Sequence, residues 1–73
     1  MAEEPAYKRF ERLGEEIYEE MYGPGSPRGL LSEVKECFAA AIAAAEGAGL
    51  TDEARRLEAR LEHIIAVSRR QFS

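Results

Sequence analysis

The fold is decided by residues 27–50, which read PRGLLSEVKECFAAAIAAAEGAGL. Apolar side chains recur in this stretch every three or four residues, which is the spacing of one face of an α-helix. This face carries Leu30, Val34, Cys37, Phe38, Ala41, Ile42 and Ala45. Gly49 is suited to the left-handed conformation that ends many helices, and the apolar Leu50 follows it. The stretch therefore predicts a helix over residues 27–48, with Ser26 as its N-cap.

The same periodicity continues on both sides of that helix. Upstream, it predicts a helix over residues 5–22, which the pair Gly23-Pro24 ends. The apolar stripe of this first helix comprises Ala6, Phe10, Leu13, Ile17 and Met21. Downstream, it predicts a third helix over residues 52–72. The stripe of the third helix comprises Ala54, Leu57, Leu61, Ile64, Ile65, Ser68 and Phe72. No stretch alternates with the period of two that is typical of strands, so residues 1–73 are expected to form one all-α domain, an antiparallel three-helix bundle.

The composition limits what such a small bundle can do. Hydrophobic residues make up 45% of the 73 positions and many of them are alanine, so the core of one chain is marginal and dimerisation would support it. The net charge of −4 disfavours non-specific binding to nucleic acid or to an anionic membrane. The longest apolar run, residues 37–45, is too short to span a membrane. Residues 1–5 lack the features of a signal peptide, so we expect a soluble, cytoplasmic protein.

Most of the residues that could support catalysis or metal binding have a simpler explanation. The acidic run over residues 15–20 could bind a divalent cation, but Glu15 and Glu19 lie opposite the apolar stripe, which favours a solvated face. His63 has no second histidine as a metal partner and points away from the stripe of its helix. The single Cys37 excludes an internal disulfide, and its place on an apolar face favours an inert thiol. The sequence therefore predicts no catalytic residue, no metal site and no cofactor.

The third helix is rich in arginine without forming a basic stripe. Its arginines are Arg55, Arg56, Arg60, Arg69 and Arg70. They surround more than half of the helix and alternate with acidic residues, whereas a nucleic-acid-binding helix concentrates its basic residues on one face. We therefore expect no binding to nucleic acid.

The second helix is apolar all the way round between residues 37 and 45, which is typical of a helix buried on more than one side. Alanines that face away from the predicted core would allow a second helix to approach closely. Tyrosines at the edge of the first helix's stripe could extend that surface, because tyrosine is favoured at interfaces. The alternative is that alanine serves only the helix propensity of this segment. The predicted interface comprises Ala39, Ala40, Ala43, Tyr18 and Tyr22.

These observations predict a small non-catalytic helical module that acts through protein–protein contacts, either with a partner protein or with itself as a homodimer. The alternative is a small acidic regulator of a nucleic-acid-binding protein or of an enzyme. A stable homodimer would favour the first function, and a monomer that co-purifies with its partner would favour the second. We expect no small-molecule substrate and no membrane partner in either case.

Overall fold

The computed structural model describes residues 4–21, 23 and 29–72, and three helices account for nearly all of them. Helix α1 spans Ala6–Glu20, helix α2 spans Leu30–Gly47 and helix α3 spans Thr51–Phe72. No strand occurs within these ranges. Helix α2 packs against both of the other helices. The prediction of an all-α three-helix bundle is confirmed.

Two helices begin later than the sequence predicts. Helix α2 begins at Leu30 and not at residue 27, because its N-cap Gly29 has a φ of 92°, in the left-handed region that an α-helix cannot contain. The predicted N-cap Ser26 lies outside the described residues. Pro5 is the N-cap of α1 and has an extended ψ of 150°, so α1 also starts one residue late. In each case, the residue before the first helical one has a backbone conformation that is not helical.

The turn between α2 and α3 has the hydrogen bonds of a Schellman motif, in which a left-handed residue ends a helix. The N–H of Leu50 donates to the carbonyl oxygen of Ala45 at 2.8 Å, and the N–H of Gly49 donates to that of Glu46 at 3.0 Å. Gly49 has a φ of 76°, which a residue without a Cβ adopts at no steric cost. The predicted helix end at Gly49 is therefore confirmed, and α3 begins directly after the turn, one residue before its predicted start.

The core is built mainly by α2 and α3, as their periodicity predicts. The buried apolar residues of α2 are Leu30, Val34, Phe38, Ala41 and Ala45, and those of α3 are Ala54, Leu57 and Ile64. Phe38 is the largest of the fully buried side chains. Its position one turn from both Val34 and Ala41 places it at the centre of the cluster.

Helix α1 buries a different face from the one that its apolar stripe predicts. Only Tyr7 and Gly14 are buried along α1. Phe10 and Leu13, which the sequence places in the core, are 38% and 46% exposed. The other members of the predicted stripe are Ala6, which is exposed, and Ile17 and Met21, which are half-buried against the core. The packed face of α1 is therefore rotated away from Leu13 and centred near Gly14.

The rotation of α1 follows from the missing side chain at Gly14. A Cβ atom placed on Gly14 would lie 2.8 Å from Cε2 and 2.9 Å from Cδ2 of Phe38, and 3.3 Å from the Cβ of Cys37. The Phe38 ring therefore fills the space that a side chain at Gly14 would need. Because the ring is fully buried, it cannot move aside without disturbing its other neighbours. Gly14 faces α2 for this reason, and Leu13 is carried to the outer flank of α1.

We expect Gly14→Ala to lower the free energy of unfolding by about 1–2 kcal/mol, although alanine is the better helix former. The propensity gain is about 0.5–1 kcal/mol, whereas forcing an extra methyl group into a packed core costs about 1–3 kcal/mol. Gly47→Ala is the matched control, because a Cβ atom at Gly47 meets nothing within 4 Å. It should leave stability unchanged or raise it by up to about 1 kcal/mol. Urea unfolding followed by circular dichroism measures both values, and a Gly14→Ala variant as stable as Gly47→Ala would contradict the account of this contact.

Candidate functional site

Helices α1 and α3 meet along a charged seam, which is defined here by Glu11, Glu15, Arg56 and Arg60. The Nη1 and Nη2 atoms of Arg56 donate to the two carboxylate oxygens of Glu11 at 2.7 and 3.0 Å. The Nε and Nη2 atoms of Arg60 donate to those of Glu15 at 2.7 and 2.8 Å. An interval of 45 residues separates the partners in both pairs, so α1 and α3 run parallel, as an up-down-up bundle requires.

The charged seam is more ordered than two isolated surface pairs. Arg56 also donates from Nη2 to Glu53 at 2.7 Å, so its guanidinium bridges a residue of its own helix to one of α1. The guanidinium carbon of Arg60 lies 5.5 Å from the centroid of the Tyr18 ring, at a cation–π distance. Hydrogen bonds from Arg56 lower the pKa of the Glu11 carboxyl, and the hydrogen bonds that Arg60 donates to Glu15 raise the pKa of Arg60. The seam therefore holds α1 and α3 in one register.

This seam corrects the prediction that the acidic residues of α1 form a solvated face. Glu15 is half-buried and paired with Arg60, whereas Glu19 is exposed as predicted. Arg12, which lies within pairing range of Glu15 on the helix, pairs instead with Glu4 at 2.6 Å. The physical reason is the rotation of α1 about Gly14, which turns the acidic flank of α1 toward the arginines of α3.

The nucleophilic side chains do not converge on a common site. Cys37 is half-buried, and burial together with the nearby carboxylates of Glu33 and Glu36 raises the pKa of its thiol, which favours the unreactive protonated form. Ser68 is 3% exposed and its Oγ atom has no hydrogen-bond partner in the described part of the chain. Cys37 lies 12 residues before the turn at Gly49 and Ser68 lies 18 residues after Leu50, so the two are offset by roughly 9 Å along the bundle axis. Each is therefore a separate group on an apolar face.

The remaining polar features do not assemble a metal site. His63 is exposed, as the sequence predicts. No cluster of three or more potential metal-ligating side chains occurs within residues 4–21, 23 and 29–72. A partly open depression beside the turn between α2 and α3 is lined by Glu46, Thr51, Ala54, Arg55 and Glu58. Its charged side chains, Glu46, Arg55 and Glu58, are all exposed.

The structure does not bring all the residues of the predicted interface together. Ala39 and Ala43 are exposed on α2, and Ala40 is half-buried beside them. Tyr18 lies on the flank of α1 that faces α3, under Arg60. The contact between α1 and α2 at Gly14 places Tyr18 roughly 10 Å from the alanines along the bundle axis. Tyr22 lies outside the described residues. The alanine surface on α2 stays a prediction, with Tyr18 engaged elsewhere.

The surface that the sequence interpretation missed is the outer flank of α1. We call it the α1 apolar face and define it by Phe10, Leu13 and Ile17. The first two are the most exposed large hydrophobic residues of α1, and Ile17 is half-buried one turn beyond Leu13. One signal could have revealed this face: a glycine next to Leu13 in the middle of a helix indicates a close approach of two backbones, which would place the packed face at Gly14.

Comparison of the chain with protein-family models, with curated proteins and with solved structures gave no match. Among the helices of the described residues, none combines the length and the apolar character needed to cross a membrane. The candidate site therefore depends on the surface chemistry of the bundle itself.

The Glu11–Arg56 pair should make stability depend on pH. Because hydrogen bonds from Arg56 lower the pKa of Glu11 in the folded chain, its contribution is complete above the ordinary pKa of a glutamate carboxyl and is lost as pH falls through the lowered pKa. We expect Glu11→Gln to be less stable than the wild type by about 0.5–1 kcal/mol at pH 7, since the pair is partly exposed. This difference should be smaller at about pH 3 than at pH 7, because protonation of Glu11 removes the ion pair.

Urea unfolding of the two chains at several pH values measures that difference. Glu19→Gln is the matched control at an exposed position of the same helix, and it should remain close to the wild type throughout. An equal stability difference for Glu11→Gln at pH 7 and pH 3 would show that the loss does not come from the ion pair.

Proposed function

We propose that this chain is a small non-catalytic helical module that acts through contacts with another protein chain, and that the α1 apolar face is the contact surface. The observation that carries the proposal is the exposure of Phe10 and Leu13, at 38% and 46%, on one flank of a helix in a protein with a small core. Single exposed apolar residues are ordinary on protein surfaces, but large ones that adjoin each other indicate an interaction site.

Burial of Phe10 and Leu13 against another protein would be energetically favourable. Burial of a leucine or phenylalanine side chain contributes about 1.5–3 kcal/mol, and total stability for a domain of this size is about 5 kcal/mol. Burial of the exposed parts of Phe10 and Leu13 would add a share of that contribution for each side chain. The structure instead places Gly14 against Phe38 and leaves the two larger residues outside. An occupant on this face would bury them without disturbing the core.

The apolar surface extends from α1 onto α2. Cys37 adjoins Gly14, so it lies on the side of α2 that contacts α1. Ala40 and Ala44 follow at intervals of three and four residues, which keeps them on that side, and both are half-buried. Ala40 therefore belongs to this surface as well as to the alanine surface predicted from the sequence. Small side chains at these positions would allow an apolar helix of a partner to approach closely.

A photo-crosslinking amino acid tests whether proteins dock on this face. Substituted for Leu13, it should yield covalent adducts with protein in an extract of the cells that make the chain. The same amino acid in place of Lys8, which is exposed on the other side of α1, is the matched control and should yield at least tenfold less adduct.

Competition then establishes that the adducts come from specific docking. An excess of unlabelled wild-type chain should suppress the adduct at position 13, whereas an excess of Leu13→Asp should not. Equal adduct at positions 13 and 8, or adduct that both competitors suppress equally, would contradict the proposal.

A further inference from the structure

We propose that the occupant of the α1 apolar face is a second copy of this chain, paired antiparallel through α1 about a two-fold axis near Leu13. The inference rests on the proposed function and names its partner. It is carried by the distribution of charge around the face, which is complementary to itself when one copy is turned by 180°.

The exposed side chains beyond Leu13 divide by sign along the helix. Arg9, Leu13, Glu16 and Glu20 follow one another at intervals of four, three and four residues, so they share one side of α1. All four are exposed. Within the described residues, neither Arg9 nor either glutamate of this row forms an ion pair. The row is therefore basic at its N-terminal end, apolar in the middle and acidic at its C-terminal end.

An antiparallel pair matches this row with itself. The two-fold axis passes beside Leu13. The residue numbers of two residues that face each other across the interface therefore add up to about 27. Arg9 then lies between Glu16 and Glu20 of the second copy, and Phe10 lies against Ile17 of the second copy. The two Leu13 side chains meet at the axis. A two-fold interface forms each of these contacts twice, except for the one at the axis.

The alternative parallel pairing would set like charges against each other. Glu16 would lie level with Glu16 and Arg9 level with Arg9, so no residue of the row would meet one of opposite charge. The acidic end is reinforced by Glu33 of α2, which is exposed one turn before Cys37 on the side that contacts α1. The charges therefore select both the partner and its direction, while the apolar residues contribute most of the affinity.

The expected dimer is a weak one. A standard stable interface buries about 800 Å² on each partner, which a single pair of four-turn helices does not reach. The alanines of α2 beside Phe10 add to the contact. A dissociation constant in the micromolar range, about 1–100 µM, is consistent with a contact of this size and with two sets of ion pairs at its rim.

Charge reversal tests the pairing. Sedimentation equilibrium at about 100 µM should show a dimer for the wild type, and at least tenfold weaker dimerisation for Arg9→Glu alone and for the double variant Glu16→Lys, Glu20→Lys alone. An equimolar mixture of the two should recover wild-type affinity, because every ion pair of the mixed dimer is again attractive. Lys8→Glu is the matched control: it changes the net charge as Arg9→Glu does, about 100° further round α1 and beside the charged seam, and should dimerise like the wild type.

Several outcomes would overturn the inference: a monomeric wild type at this concentration, charge variants that dimerise like the wild type, or a mixture that does not recover. Circular dichroism confirms that each variant is folded. Salt tests the ion pairs in the wild-type chain, because screening should weaken the dimer between 50 and 500 mM salt. If the wild type is monomeric while position 13 crosslinks to a different protein, the self-pairing fails and the proposed function stands. If crosslinking at position 13 is also absent, both fail.

Discussion

The contact between Gly14 and the ring of Phe38 orients everything else in this bundle. Because Gly14 has no side chain, the backbone of α1 lies directly on the ring of Phe38 at the centre of the core. Successive residues of an α-helix are turned by about 100°, so the position of Gly14 against α2 determines the direction in which every other side chain of α1 points. Glu11, Glu15 and Tyr18 therefore face α3, and Phe10 and Leu13 face outward. The charged seam and the α1 apolar face are two consequences of one packing contact.

This geometry brings α1 close to α2 but buries few of its side chains. Helices α2 and α3 contribute most of the buried aliphatic side chains, whereas α1 adds only Tyr7 and a glycine to the buried residues. Its other attachment, the charged seam, consists of partly exposed ion pairs, and such pairs contribute little free energy each. A partner on the α1 apolar face would stabilise the folded bundle, because a ligand that binds only the folded form stabilises it by mass action. Association and the integrity of the bundle are coupled in this way.

The sequence allows the fold to be predicted but not the orientation of α1. In α2 and α3 the apolar residues dominate one face, so periodicity alone identifies the core, and the left-handed Gly49 identifies the turn. In α1 the five regularly spaced apolar residues do form a stripe. The stripe alone does not show that α1 packs through the neighbouring Gly14 and not through the centre of the stripe. The ion pairs of Arg56 and Arg60 could not be predicted, because they depend on the register between helices that are 45 residues apart in sequence. The start of α2 was predicted too early because a left-handed glycine before a helix resembles any other residue of a loop.

The most direct test of the central claim is a double-mutant cycle between Gly14 and Phe38. If the ring of Phe38 is what excludes a side chain at position 14, the smaller leucine should make room for it. The free energy of unfolding is measured for the wild type, Gly14→Ala, Phe38→Leu and the double variant. The account predicts that Gly14→Ala costs at least about 1 kcal/mol less in the Phe38→Leu background, since residues in contact couple by about 0.5–3 kcal/mol. Costs that add within about 0.3 kcal/mol would contradict it, and the orientation of α1 would then have another cause.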